Sequence, residues 1–84
     1  MNSEKITELF KYYFRPLSYS VDIKARYIQF NYIAGDDNDH QKYFLRIIGS
    51  SDVRHCNVVA GWVADDGKSY AQGVPVAFIE ALLQ

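Results

Sequence analysis

Lys42-Tyr43-Phe44-Leu45-Arg46-Ile47-Ile48-Gly49 is the stretch that decides how this chain is read. The run is short, apolar and rich in aromatic and β-branched residues, with turn formers on either side, and that composition predicts a strand. Val21–Ile33 before it and Cys56–Ala64 after it are the other long runs of strand-forming composition. Each is expected to pair with it through a hairpin, which makes 42–49 the central strand of a small antiparallel sheet.

Working outward, residues from Tyr19 onward alternate with period two. Val21, Ile23, Ala25 and Tyr27 share one face, and Asp22, Lys24 and Arg26 the other. The phase then reverses, with Ile28, Phe30 and Tyr32 becoming the apolar set. A bulge or bend near Tyr27 would reverse the inward face in this way; a sheet partly covered on both sides is the alternative. Ala34 to His40 is a polar connection too long for the tightest hairpin. Gly49-Ser50-Ser51-Asp52 is a turn, and a further strand is expected from Arg54 to Ala64. Asp65-Asp66-Gly67 carries a strong hairpin signal, which places a short fourth strand over Lys68–Ala71.

Two helices flank the strands. Ile6, Leu9, Phe10 and Tyr13 recur at helical spacing, so a helix over Ser3–Phe14 buries one side, capped by Asn2 or Ser3 and ended by Pro16. Pro75 suits a first helical position, and from Val76 onward only Glu80 and Gln84 are polar. A short helix apolar nearly all round is expected to be buried against the first helix or shared with a second copy of the chain. The fold class is therefore α+β: an N-terminal helix, a three- or four-stranded antiparallel meander and a C-terminal helix, in one domain spanning 1–84.

Composition excludes several classes of function. With 84 residues, 49% hydrophobic and 23% charged, the chain is globular and forms a single domain. A formal charge of −1 is too small for a generally phosphate-binding or generally acidic protein. The charge is unevenly placed, however: the first 32 residues carry five Lys or Arg against three Asp or Glu, while acids gather at Asp36-Asp37-Asn38-Asp39 and at Asp65-Asp66. Cys56 is the single cysteine, and no signal segment or run of membrane-spanning length is evident, so a cytoplasmic location is expected.

No pattern of catalytic or metal-ligating residues emerges. His55 and Cys56 are neighbours in an expected strand and so point to opposite faces, which prevents them from acting as a nucleophile and base pair. Asp36 to His40 fails the spacing of a calcium loop, because its sixth and twelfth positions fall on Gln41 and Ile47. Two histidines and one cysteine lack zinc spacing, and the glycines form no phosphate loop. The expectation is a noncatalytic protein without cofactor.

The aromatic content is 15%, with seven tyrosines. Their rings either cover the sheet edge with the hydroxyl in water or form a contact surface, for which Tyr12 and Tyr70 are the candidates. Asp36, Asp37, Asp39, Asp65 and Asp66 are the acidic candidates.

The order helix, three strands, helix resembles the double-stranded RNA-binding domain, which implies phosphate contacts from a basic cluster at the start of the second helix. Here that position reads Gly73-Val74-Pro75-Val76-Ala77, with no Lys or Arg after Lys68. Lys24, Arg26 and Arg46 are the cations left to a nucleic-acid reading. In size, element order and acidic loops the chain also resembles small phage-encoded inhibitors, the anti-CRISPR proteins. That resemblance covers the outline of the chain and no residue motif. It implies binding to a nuclease complex, with carboxylates standing in for phosphates before an Arg- or Lys-lined channel. Protein binding is thus the leading expectation and nucleic-acid binding the alternative.

Overall fold

The computed structural model describes residues 2–35, 41–49 and 57–84. Helix α1, Ser3–Phe14, begins where the Asn2 side-chain oxygen accepts the Glu4 and Lys5 backbone N–H groups, each at 3.1 Å. These bonds satisfy two donors that the first turn leaves without a helical partner. The helix ends at Arg15, which is held in the left-handed region (φ 46°, ψ 57°) with its N–H on Lys11 O. Pro16 follows, and Leu17 N–H donates to Ile33 O at 2.8 Å, so the chain enters the sheet within two residues of the cap.

Five strands follow in sequence: β1 Ser18–Ile23, β2 Tyr27–Ala34, β3 Gln41–Ile48, β4 Asn57–Val63 and β5 Ser69–Ala71. They form one antiparallel sheet in the order β1-β2-β3-β4-β5, so β3 is central, as its composition predicts. The meander has one strand more than expected because Val21–Ile33 is not one bulged strand but parts of two. Lys24 N–H donates to Tyr27 O at 2.9 Å, and the chain reverses through Ala25 and Arg26. In the resulting register Val21 faces Phe30 and Ile23 faces Ile28. Directly opposed residues share a face, so Val21 and Ile23 point the same way as Phe30 and Ile28, Tyr27 lies on the other face with Arg46, and the phase reversal is the hairpin itself.

Helix α2, Val76–Leu82, starts after Pro75, whose ψ of 131° makes it the residue before the helix and not the first helical position. α2 lies against α1, with the Phe78 ring edge-on to Phe14 at 5.0 Å and to Tyr13 at 5.9 Å. Val76 and Leu83 remain exposed.

Both helices cover the same side of the sheet. Ile6 and Phe10 of α1 and Phe78 of α2 join Ile28, Phe30, Tyr32, Leu45, Ile47 and Ala60 in one core, with no buried polar side chain among the described residues. Phe10 is its hub, stacked on Phe30 at 4.1 Å and edge-on to Tyr32 at 5.1 Å. Among the described residues no helix lies over the opposite face. On that side the Phe44 ring lies over Gly61, where a Cβ would stand 2.8 Å from the ring and would strike the Tyr70 carbonyl oxygen.

Candidate functional site

The register produces a row of rings that single-strand periodicity does not reveal. Tyr19 pairs with Tyr32, Tyr32 with Tyr43, Tyr43 with Trp62, and Trp62 with Tyr70, which places one aromatic residue on each strand in a line across the sheet. Tyr32 and Tyr43 stack at 5.3 Å, and Trp62 and Tyr70 at 4.5 Å. The row is exposed at both ends, with Tyr19 on β1 40% exposed, and covered within. Tyr32 is 7% exposed beneath Phe10 and Phe14, whereas Tyr70 on the edge strand β5 is 44% exposed. Burial, with a smaller contribution from Tyr43, pushes the Tyr32 hydroxyl up to about 12.

Beside the Tyr70 end of this row stands the turn between β4 and β5. Ala64 N–H donates to Lys68 O and Gly67 N–H to Ala64 O, both at 2.9 Å, while Gly67 takes a φ of 86° that favours glycine. Lys68 N–H donates to the Asp66 carboxylate at 3.0 Å, so Asp66 helps to shape the turn. Asp65 and Asp66 are both exposed. The result is an acidic tip shaped by the turn's hydrogen bonds beside a stacked pair of rings.

Of the sequence-predicted residues, Asp65, Asp66 and Tyr70 therefore converge on one corner. Tyr12 does not join them: it is 68% exposed on α1 and meets the edge of Tyr13. Asp36, Asp37 and Asp39 lie outside the described residues, as do His40 and Cys56. Trp62, Tyr43, Tyr32 and Tyr19 were missed as members of the row. Their signal is one large ring per strand at matching distances from the turns, which becomes readable only once the strands are paired.

The basic candidates lie at the other end of the sheet. Lys24 and Arg26 are exposed around the β1–β2 turn. Arg46 is already engaged, with its guanidinium 4.4 Å from the Tyr27 ring centroid and its Nε donating to Gln29 Oε1 at 2.7 Å. From there a polar chain crosses the open face: Gln29 Nε2 donates to Asn31 Oδ1 at 3.0 Å, and Asn31 Nδ2 reaches Asp22 Oδ2 at 3.5 Å. The carboxylate of Asp22 and the guanidinium of Arg46 are thus linked through two amides across three strands.

Among the described residues no three His, Cys, Asp or Glu side chains gather to hold a metal ion, and no helix is long and apolar enough to cross a membrane. No protein-family model, curated protein or solved structure matches the chain.

Proposed function

We propose that this protein is a noncatalytic binding module that meets another protein at the β4–β5 corner. The observation that carries this reading is the Trp62–Tyr70 stack, a half-buried ring on β4 against an exposed ring on the edge strand β5, beside the turn that carries Asp65 and Asp66. Flat rings held by each other lose little freedom on docking and are common anchors of protein interfaces. Carboxylates at their rim favour a partner surface rich in Arg or Lys and repel nucleic acid. A protein channel that otherwise holds a nucleic-acid backbone has this chemistry, so inhibition of a nucleic-acid-processing complex, in the manner of the anti-CRISPR proteins, is the function the reading favours. Asp36, Asp37 and Asp39 would extend the acidic surface in that role.

The alternative is phosphate binding through Lys24, Arg26 and Arg46. It is weakened by the partners Arg46 already has in Tyr27 and Gln29.

Titration with an Arg-rich peptide and, separately, with duplex RNA, each followed through the backbone amide resonances, tests the two readings. The expected result is peptide-induced shifts at Trp62, Asp65 and Tyr70 that Asp65→Arg and Tyr70→Ala abolish, with no response to RNA. Shifts confined to Lys24, Arg26 and Arg46 on adding RNA, lost steeply with salt, would overturn it. Silence toward both probes would remove the corner as a contact surface.

A further inference from the structure

The two edges of the sheet are not alike. β5 is an edge of three residues, whereas β1 offers six, Ser18–Ile23, with a single charged side chain, Asp22. Long edges without lysine, proline or a bulge invite further strand pairing. The Lys24 to Tyr27 bond belongs to the β1–β2 register, so even-numbered residues of β1 direct their backbone groups toward β2. The N–H and C=O groups of Tyr19, Val21 and Ile23 are then left on the open edge.

Side chains repeat this pattern. On the helix-covered side, Tyr19 and Ile23 are 40% and 62% exposed, one on each side of the half-buried Val21. Next to Ile23 is a groove of about 370 Å³ between β1 and the first half of α1, with Val21 and Ile23 on one wall and Ser3, Thr7 and Glu8 on the other. A partly exposed ring, seated on Phe10 and Phe30, and a groove with one apolar wall thus sit two residues either side of Val21. A two-fold axis through Val21, normal to the sheet, exchanges the two positions.

We infer that β1 pairs antiparallel with β1 of a second copy of this chain, centred on Val21 and joining two sheets into one of ten strands. In this register Val21 lies opposite Val21 of the partner copy, and Tyr19 lies opposite Ile23. These three residue pairs exchange the open backbone hydrogen bonds. The exposed side of each Tyr19 ring meets the other copy's Ile23 at the mouth of its groove, and Ser20 faces Asp22 on the open side. The contact is isologous, so it closes at two copies and leaves no β1 edge for a third. It lies at the edge opposite β5 and does not rest on the function proposed for the β4–β5 corner.

Sedimentation velocity over a range of protein concentrations tests the inference, with an unchanged circular dichroism spectrum as the control for folding. The full chain is expected to shift from monomer to dimer as concentration rises. Ile23→Lys sets an inward-pointing charge on the edge, and Val21→Pro removes the central N–H at a site where an edge strand tolerates proline. Each is expected to weaken the dimer at least tenfold. On a Cys56→Ser background, Val21→Cys is expected to form a disulfide-linked dimer on mild oxidation and Ser20→Cys is not, because only the former brings two Cα atoms within disulfide range. A chain that stays monomeric throughout, or binds only strands from other proteins, overturns the inference. So does a dimer indifferent to Ile23→Lys, and cross-linking through Ser20→Cys in place of Val21→Cys overturns the register.

Discussion

The two faces of the sheet share every backbone hydrogen bond and differ in what their side chains contribute. The covered face is a continuous apolar contact built on Phe10, Phe30, Leu45 and Phe78, each fully buried. The open face carries the Arg46–Gln29–Asn31–Asp22 chain, the Tyr27 ring beneath Arg46, and the Phe44 ring lying over Gly61. Burial supplies most of the free energy on the first side, because apolar area removed from water outweighs exposed polar contacts. The second side contributes register: polar partners opposite one another on neighbouring strands favour a single alignment, since a slip of one residue would turn them inward.

Substitutions can break this comparison in order of expected size. Phe10→Ala removes the hub of the covered face and should cost about 3–5 kcal/mol in urea unfolding, the range for a large buried ring. A cost under about 1 kcal/mol would mean that the helices are not what holds the sheet.

Alkaline pH probes the same face through Tyr32. Its hydroxyl is held near 12 in the folded chain against 10.0 for the free side chain. The folded state therefore keeps the proton longer than the unfolded state does. Its contribution is intact below pH 10 and is lost as pH rises through 12, up to a limit of roughly 3 kcal/mol. Tyr32→Phe should flatten that part of the stability curve, and an unchanged slope in the variant would contradict the assignment.

Gly61→Ala tests the open face. The added methyl meets the Phe44 ring and the Tyr70 carbonyl, so thermal unfolding should show a loss of about 1–3 kcal/mol. The Trp62 fluorescence spectrum should shift as β5 is pushed away; a spectrum identical to the parent would mean that the strand accommodates the methyl without moving. Smallest of all, Arg46→Ala should cost less than about 1 kcal/mol, because a half-buried contact between a guanidinium and a neutral amide at the sheet surface is largely offset by hydration. Amide exchange in β2 should nevertheless quicken if the polar chain helps to fix register.

Much of this architecture is legible in the residues. The Ile6, Leu9, Phe10, Tyr13 spacing marks the buried side of α1, Lys42–Gly49 marks the centre of the sheet, and Asp65-Asp66-Gly67 marks a turn because Gly67 adopts a conformation few other residues favour. The β1–β2 turn is hidden for the converse reason. Neither Ala25 nor Arg26 takes a positive φ, so no glycine or asparagine was required there and none announces it. Arg15 is hidden as well, since a left-handed cap is ordinarily glycine. At the candidate corner, composition singles out Tyr70 and the two aspartates, but Trp62 and the rest of the row depend on strand pairing over long sequence distances. Tyr12 and Tyr70 have the same composition signal and different surroundings, which only the packing separates.

The strictly consecutive order of the strands bears on how quickly the chain finds its shape. Every strand joins the one made just before it, so little loop entropy is spent until α2 reaches back to α1 across the whole meander. Docking of α2 then belongs late on the route. Phe78→Leu should hasten unfolding in stopped-flow experiments while leaving the refolding rate nearly unchanged; a slowed refolding limb would instead place the helix pair in the nucleus.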